Sequence, residues 1–114
     1  MSKQVLILSG SPRKGGNSDT LCDRFAAGAR EAGHFVEKFS RAGKQIAPCR
    51  GCYACKSGLC PQQDAARVFV EKMLTADVIV LGTPVYFYSM CAQLKALIDR
   101  SVMVYPRIVN KEFY

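Results

Sequence analysis

The sequence predicts an α/β domain built on a parallel sheet. Two short, continuous apolar runs carry that prediction: Val5–Leu8 and the stretch DVIVLG, Asp77–Gly82. Neither alternates, as expected of strands covered on both faces. Segments with helical spacing separate and follow the extended ones, giving the order strand, helix, strand, helix, strand, helix. Such alternation produces a parallel sheet with right-handed crossovers.

The elements follow in chain order. Val5–Leu8 meets turn signals at Gly10 and Pro12. Gly15 and Gly16 lead to Asn17 and Ser18, both good N-cap residues. Leu21, Phe25, Ala29 and Ala32 then recur at helical spacing, and Gly33 can close that helix. HFVEKFS, residues 34–40, is the second strand candidate. Arg41–Gln63 shows little periodicity. Asp64 can cap a helix to about Thr75, with Val68, Met73 and Leu74 facing inward. DVIVLG is the third strand and Thr83–Ser89 a loop. From about Met90 to Arg100 a helix carries Leu94, Leu97 and Ile98 on one side. The tail after Ser101 is ambiguous. No repeat, low-complexity segment or linker divides the chain.

A chain of 114 residues suits one small domain with one core. Its 49% hydrophobic and 22% charged content fits a globular protein. No apolar stretch approaches the roughly 20 residues of a membrane span. The N-terminal MSKQVLILSGSPRKGG lacks a signal peptide's apolar region and cleavage site. A cytosolic location is therefore expected. Six cysteines in such a chain stay reduced, which favours metal or redox use over a disulfide framework. The net charge of +7 reads either as a solvated basic surface or as attraction for a phosphorylated ligand. Nucleic acid is disfavoured, because the basic residues are scattered from Lys3 to Lys111 without a run or interleaved aromatics.

Ligands of open parallel sheets bind outside the carboxyl ends of the strands. Two polar loops fall there, Ser9–Ser18 and Thr83–Ser89. The first reads SGSPRKGGNS and opens a helix. Unpaired N–H groups and the positive end of the helix dipole make such a place an anion site. Ser9, Ser11, Asn17, Ser18 and Thr20 add polar donors, and Arg13 adds a forked charged one. The plain alternative is a polar turn before a capped helix. The loop is neither G-x4-G-K-[ST] nor G-x-G-x-x-G.

GSPRKGGNSDTL after a VLIL strand resembles the phosphate loop of flavodoxin-like NAD(P)H-dependent FMN reductases. DVIVLGTPVYFYSMCAQLKALIDR resembles the second flavin-contacting segment of that family. The cysteine run between them resembles the compact motif of its iron–sulfur flavoprotein branch. The resemblance covers nearly the whole chain. It implies a flavodoxin-like three-layer α/β/α fold and one FMN-binding domain over residues 1–114, incomplete at its C-terminus. It also implies bound FMN and NAD(P)H as reductant. By the first motif, Ser11, Arg13, Asn17, Ser18 and Thr20 hold the FMN phosphate. By the second, Pro84, Val85, Tyr86 and Phe87 lie along the ribityl chain and the ring. The residues agree: a flat, largely apolar ring wants aromatic or aliphatic contact and backbone hydrogen bonds, although Phe87 and Tyr88 also read as core aromatics. Hydride is accepted at the ring itself, so no catalytic side chain is required.

Residues 49–60, CRGCYACKSGLC, hold four cysteines spaced C-x2-C-x2-C-x4-C. A thioredoxin-type site needs only one C-x-x-C. Zinc sites commonly place two pairs far apart. Short successive gaps suit the corners of a cubane, and Cys60–Pro61 keeps the terminal C-P of bacterial ferredoxins. The x4 gap and the lack of a second set depart from that pattern. Spacing and family together favour a four-iron cluster on Cys49, Cys52, Cys55 and Cys60, with zinc or unmetallated thiols as alternatives. Cys22 and Cys91 read as small core residues.

The family's domain continues beyond LKALIDR with two more strands. The expectation here is a sheet of three strands in the order 2-1-3, with DVIVLG on an open edge and the flavin-contacting loop after the fourth strand missing. Such an edge is a liability. It predicts a fragment or a homo-oligomer, a dimer or swapped assembly. The leading functional reading is an FMN-dependent oxidoreductase passing electrons to a small acceptor or to the cluster. Its rivals are an electron carrier for protein partners and a cofactor-free or zinc-binding interaction module.

Overall fold

A computed structural model describes residues 2–58 and 60–114. Strand β1 (Gln4–Ser9) leads to helix α1 (Asn17–Glu31) and strand β2 (Phe35–Ser40). A long connection with one 3-10 turn (Ala54–Ser57) reaches α2 (Ala65–Thr75) and β3 (Val78–Gly82). A short antiparallel hairpin, β4 (Val85–Tyr86) and β5 (Ser89–Met90), precedes α3 (Ala92–Arg100). A 3-10 turn (Ser101–Val104), a short α4 (Tyr105–Ile108) and β6 (Glu112–Phe113) complete the chain.

The main sheet is parallel throughout, in the order β2-β1-β3-β6. This is the expected flavodoxin-like arrangement, with one correction. The edge of β3 is not bare: β6 pairs with Val78 and Ile79, and Tyr114 continues the ladder by donating to Ile79 and accepting from Leu81. Two residues of strand after the Asn110–Lys111 turn are too few to show a pattern in sequence.

Side chains of β1 alternate between two cores, as a pleated strand requires. Leu6 and Leu8 join Phe39 and Ile79 under Phe69, Val70 and Met73 of α2 and Leu94 and Leu97 of α3. Val5 and Ile7 join Val78 and Val80 beneath Cys22 and Ala26 of α1. The apolar spacing Leu21–Phe25 does not mark the buried face of α1, since those residues are 70% and 42% exposed. The helix instead buries Asp19, Cys22 and Ala26. Small side chains let it lie close to the sheet at Gly82, where a Cβ would come within 2.3 Å of Cys22 Sγ. Val68 is likewise exposed, whereas Met73 is buried and Leu74 packs at the core margin. Gly33 closes α1 at φ +91°, a left-handed position suited to glycine. Asp64 caps α2 by accepting from the N–H of Ala66 at 3.1 Å.

Candidate functional site

The two polar loops meet at the carboxyl edge of the sheet. Gly10 N–H donates to Gly82 O at 2.8 Å. The Cys91 thiol donates to Gly10 O at 3.2 Å, and the Cys91 N–H donates to Thr83 Oγ1 at 3.1 Å. Gly10 has no room for a side chain, because a Cβ would lie 2.8 Å from Leu94 Cβ. Cys91 is buried as expected, and it also occupies the N-cap position of α3.

In the first loop, helix α1 starts one residue earlier than its best capping residues. Gly16 is the N-cap, with no side-chain cap, and Asn17 and Ser18 fall inside the first turn. The first backbone bond of the helix runs from Thr20 N–H to Gly16 O at 2.9 Å. The N–H groups before it have no helical acceptor, so they are available to an anion. Ser11 is buried and accepts from the Arg13 N–H at 3.1 Å. Arg13 is exposed, and its guanidinium lies over Gly16, where a Cβ would sit 3.0 Å from Nη2. Asn17 and Thr20 are exposed and Ser18 half-buried.

Asp19 organises this loop, a role the sequence reading missed. Its carboxylate accepts from Ser9 Oγ at 2.7 Å and from Gly15 N–H at 2.9 Å, and pairs with Lys38 at 2.6 Å. One side chain thereby ties the end of β1, the loop, α1 and β2 together. Lys38, then the Gly15 N–H and Ser9, lower its pKa to about 2. The available signal was an acid in the third position of a helix, where it can reach back to preceding N–H groups.

In the second loop the expected irregular segment contains the β4–β5 hairpin. Its two turn residues, Phe87 and Tyr88, have φ of 49° and 71°. Both are 93% exposed, so neither fills the core. Val85 and Tyr86 are also exposed, and Pro84 is half-buried. An aromatic hairpin therefore projects from the sheet edge directly after β3, next to the anion loop.

Cys49, Cys52, Cys55 and Cys60 line one pocket, together with Arg100 and Met103. All four are free thiols. Cys60 is buried, Cys55 half-buried and the other two exposed. The N–H of Ala54, aided by Arg50, holds the Cys52 thiol below its ordinary pKa. The pocket measures about 30 Å³, room for a water or two. Among the described residues, no three His, Cys, Asp or Glu side chains are gathered closely enough to hold a metal ion. The donor set itself suits a soft metal or an iron–sulfur cluster.

Arg100 was also missed. It lies on the buried stripe of α3 with Leu94 and Leu97 and is only 2% exposed. A cation at that spacing demands a buried carboxylate partner. Asp64 supplies it through a forked pair of 2.7 and 2.9 Å. Burial alone would raise the Asp64 pKa, but Arg100 and the N–H groups of Ala47 and Ala66 hold it below the usual carboxylate range.

A parallel α/β sheet with an open helix N-terminus and an aromatic hairpin at one carboxyl edge has the layout of the ligand-binding α/β class. The family model for NADPH-dependent FMN reductases matches residues 4–113, and the chain belongs to that family. An iron–sulfur flavoprotein of Methanocaldococcus jannaschii is 44% identical over 99 residues, covering 86% of this chain and 51% of that protein. An iron–sulfur flavoprotein of Methanosarcina thermophila is 39% identical over 102 residues, covering 89% of this chain and 53% of the relative. The chain thus spans about half the length of these curated relatives. Among solved structures, the NAD(P)H:quinone oxidoreductase from Methanothermobacter marburgensis superposes with a TM-score of 0.73 at 23% identity, over 89% of this chain and 53% of that one. That likeness supports the fold. Among the described residues, no helix is long and apolar enough to cross a membrane.

Proposed function

We propose that this chain is the FMN-binding part of an oxidoreductase that takes hydride from NAD(P)H and delivers electrons to a small acceptor. The observation that carries the reading is the meeting of an open helix N-terminus, flanked by Ser11 and Arg13, with an exposed aromatic hairpin. Those two features match the two ends of FMN, a dianionic phosphate and a flat ring. Ser11, Arg13, Asn17, Ser18 and Thr20 would hold the phosphate. Pro84, Val85, Tyr86 and Phe87 would line the ribityl chain and ring. Bound FMN supplies a ring that accepts hydride and releases electrons singly. The chain's residues bind and orient it, and none need act as acid or base.

Cys49, Cys52, Cys55 and Cys60 would hold a four-iron cluster. Their shared pocket and thiol chemistry support that reading. A cluster supplies one-electron exchange beside a two-electron flavin. A homo-oligomer in the cytoplasm, with a partner copy covering the exposed hairpin, completes the proposal.

The test is to titrate FMN into anaerobically purified protein and follow flavin absorption, then add NADPH or NADH. Stoichiometric FMN binding and rapid bleaching are expected. Arg13→Ala should weaken FMN binding roughly 10–100-fold, the worth of a charge-assisted hydrogen bond. Failure to bind FMN, or a bound flavin that neither nucleotide reduces, overturns the reading.

A further inference from the structure

The segment that carries the four cysteines is closed at its neck by one guanidinium. Arg100 Nη1 donates to Ala47 O at 2.8 Å and to Asp64 Oδ2 at 2.7 Å. Its Nη2 donates to Gln62 O at 3.3 Å and to Asp64 Oδ1 at 2.9 Å. Asp64 Oδ2 also accepts from the Ala47 N–H at 2.9 Å. Residues 47, 62 and 64 are the two stems of the loop, and every cysteine of the motif lies between them. Arg67 adds a second hold on that side by donating to Cys60 O at 2.7 Å.

This arrangement uses four of the five guanidinium N–H groups of Arg100. The fifth, Nε–H, is buried and has no partner among the described residues. A buried donor left unpaired costs about 1–3 kcal/mol. Arg100 and Cys60 line the same pocket, and an anionic sulfur there is an acceptor that a buried N–H can take. Four thiolates also bring negative charge to a site where, among the described residues, Arg100 is the fully buried cation.

We propose that Arg100 is the positioning residue of the cysteine site, clamping the loop neck and giving its Nε–H to the sulfur of Cys60 when that residue is a ligand. The inference rests on the four-cysteine cluster reading above. It adds two consequences. The clamp holds the two stems of the loop together, so its loss speeds release of iron. The hydrogen bond and the cation stabilise the reduced, more negative cluster, so their loss makes the reduction potential more negative.

The test uses the chain reconstituted anaerobically with ferrous iron and sulfide. Wild-type protein labelled with 15N-arginine should show a 15N coupling in pulsed electron paramagnetic resonance of the reduced cluster. Arg67→Lys should retain that coupling, and Arg100→Lys should lose it. Arg100→Lys should also shift the potential to a more negative value. Asp64→Asn loosens the neck but leaves Nε–H in place. It should release iron to a chelator roughly tenfold faster, the worth of one charged hydrogen bond, while keeping the coupling. A wild-type cluster without arginine 15N coupling overturns this inference alone, whether or not the variants fold. So does Arg100→Lys protein with wild-type potential and coupling. A wild-type chain that takes up no iron overturns the cluster reading and this inference with it, while FMN binding stands apart.

Discussion

Replacing Asp19 by Asn keeps the shape of the side chain and removes its charge. The structure sets the size of the effect. The carboxylate accepts two hydrogen bonds and pairs with Lys38, and its pKa falls from 3.8 to about 2. At 1.36 kcal/mol per unit that shift corresponds to about 2.4 kcal/mol. Lys38 is partly open to water, and screening reduces the figure to about 1–2 kcal/mol. For a domain of this size the melting temperature should drop by about 4–8 °C. Because the folded pKa is depressed, the stabilisation is fully present above pH ~3.8 and is lost as pH falls towards 2. Wild-type and Asp19→Asn proteins should therefore differ at pH 7 and converge between about pH 4 and pH 2. Denaturant melts across that range measure the gap. A ligand assay separates loop order from bulk stability. Asp19 fixes the Gly15 N–H and Ser9, so the variant should lose FMN affinity while keeping affinity for riboflavin, which lacks the phosphate. A gap that stays constant from pH 7 to pH 2, or equal losses for FMN and riboflavin, would refute the argument.

Two further outcomes follow from the backbone. Phe87 and Tyr88 both occupy left-handed turn positions that favour Asn-Gly. Changing them to Asn and Gly should raise stability by about 1 kcal/mol in thermal melts, and should weaken FMN binding in titrations if the aromatics meet the ring. Gly82→Ala drives a Cβ to 2.3 Å from Cys22 Sγ and should destabilise by about 1–3 kcal/mol. Adding Cys22→Ala should recover part of that loss, and a double-mutant cycle in urea with strictly additive effects would contradict the contact.

The parts of the fold that were legible in sequence are those whose physics is local. Val5–Leu8 and Val78–Leu81 had to be continuous apolar runs, because α1 covers one side and α2 and α3 the other. The anion loop and the hairpin were legible as positions, since each leaves a strand's carboxyl end. The buried face of α1 was not. It is set by how closely the helix approaches Gly82, which favours Cys22 and Ala26 over the larger Leu21 and Phe25. Asp19 and Arg100 escaped for a related reason. Each is a charge on a buried stripe whose partners come from elsewhere, Lys38 on β2 for one and Asp64, 36 residues earlier, for the other. The role of Asp64 as a helix cap was legible, but its role as a counter-ion was not.

Helix α3 connects these observations. Its first end is tied to the two polar loops at the sheet's carboxyl edge, because Cys91 bonds to Gly10 and Thr83. Its last residue, Arg100, holds the neck of the cysteine loop. The two anchors are nine positions apart, a rise of about 13 Å along a regular helix. An α-helix resists stretching, since every turn would have to give up backbone hydrogen bonds. The spacing between the two anchor points is therefore fixed by the helix and not by the irregular segment that carries the cysteines. On the proposed reading, the guanidinium of Arg100 is the link by which α3 sets the place of the cysteine loop's neck relative to the flavin loops. Lengthening or bending α3 should then alter communication between the two sites without changing a single ligand of either.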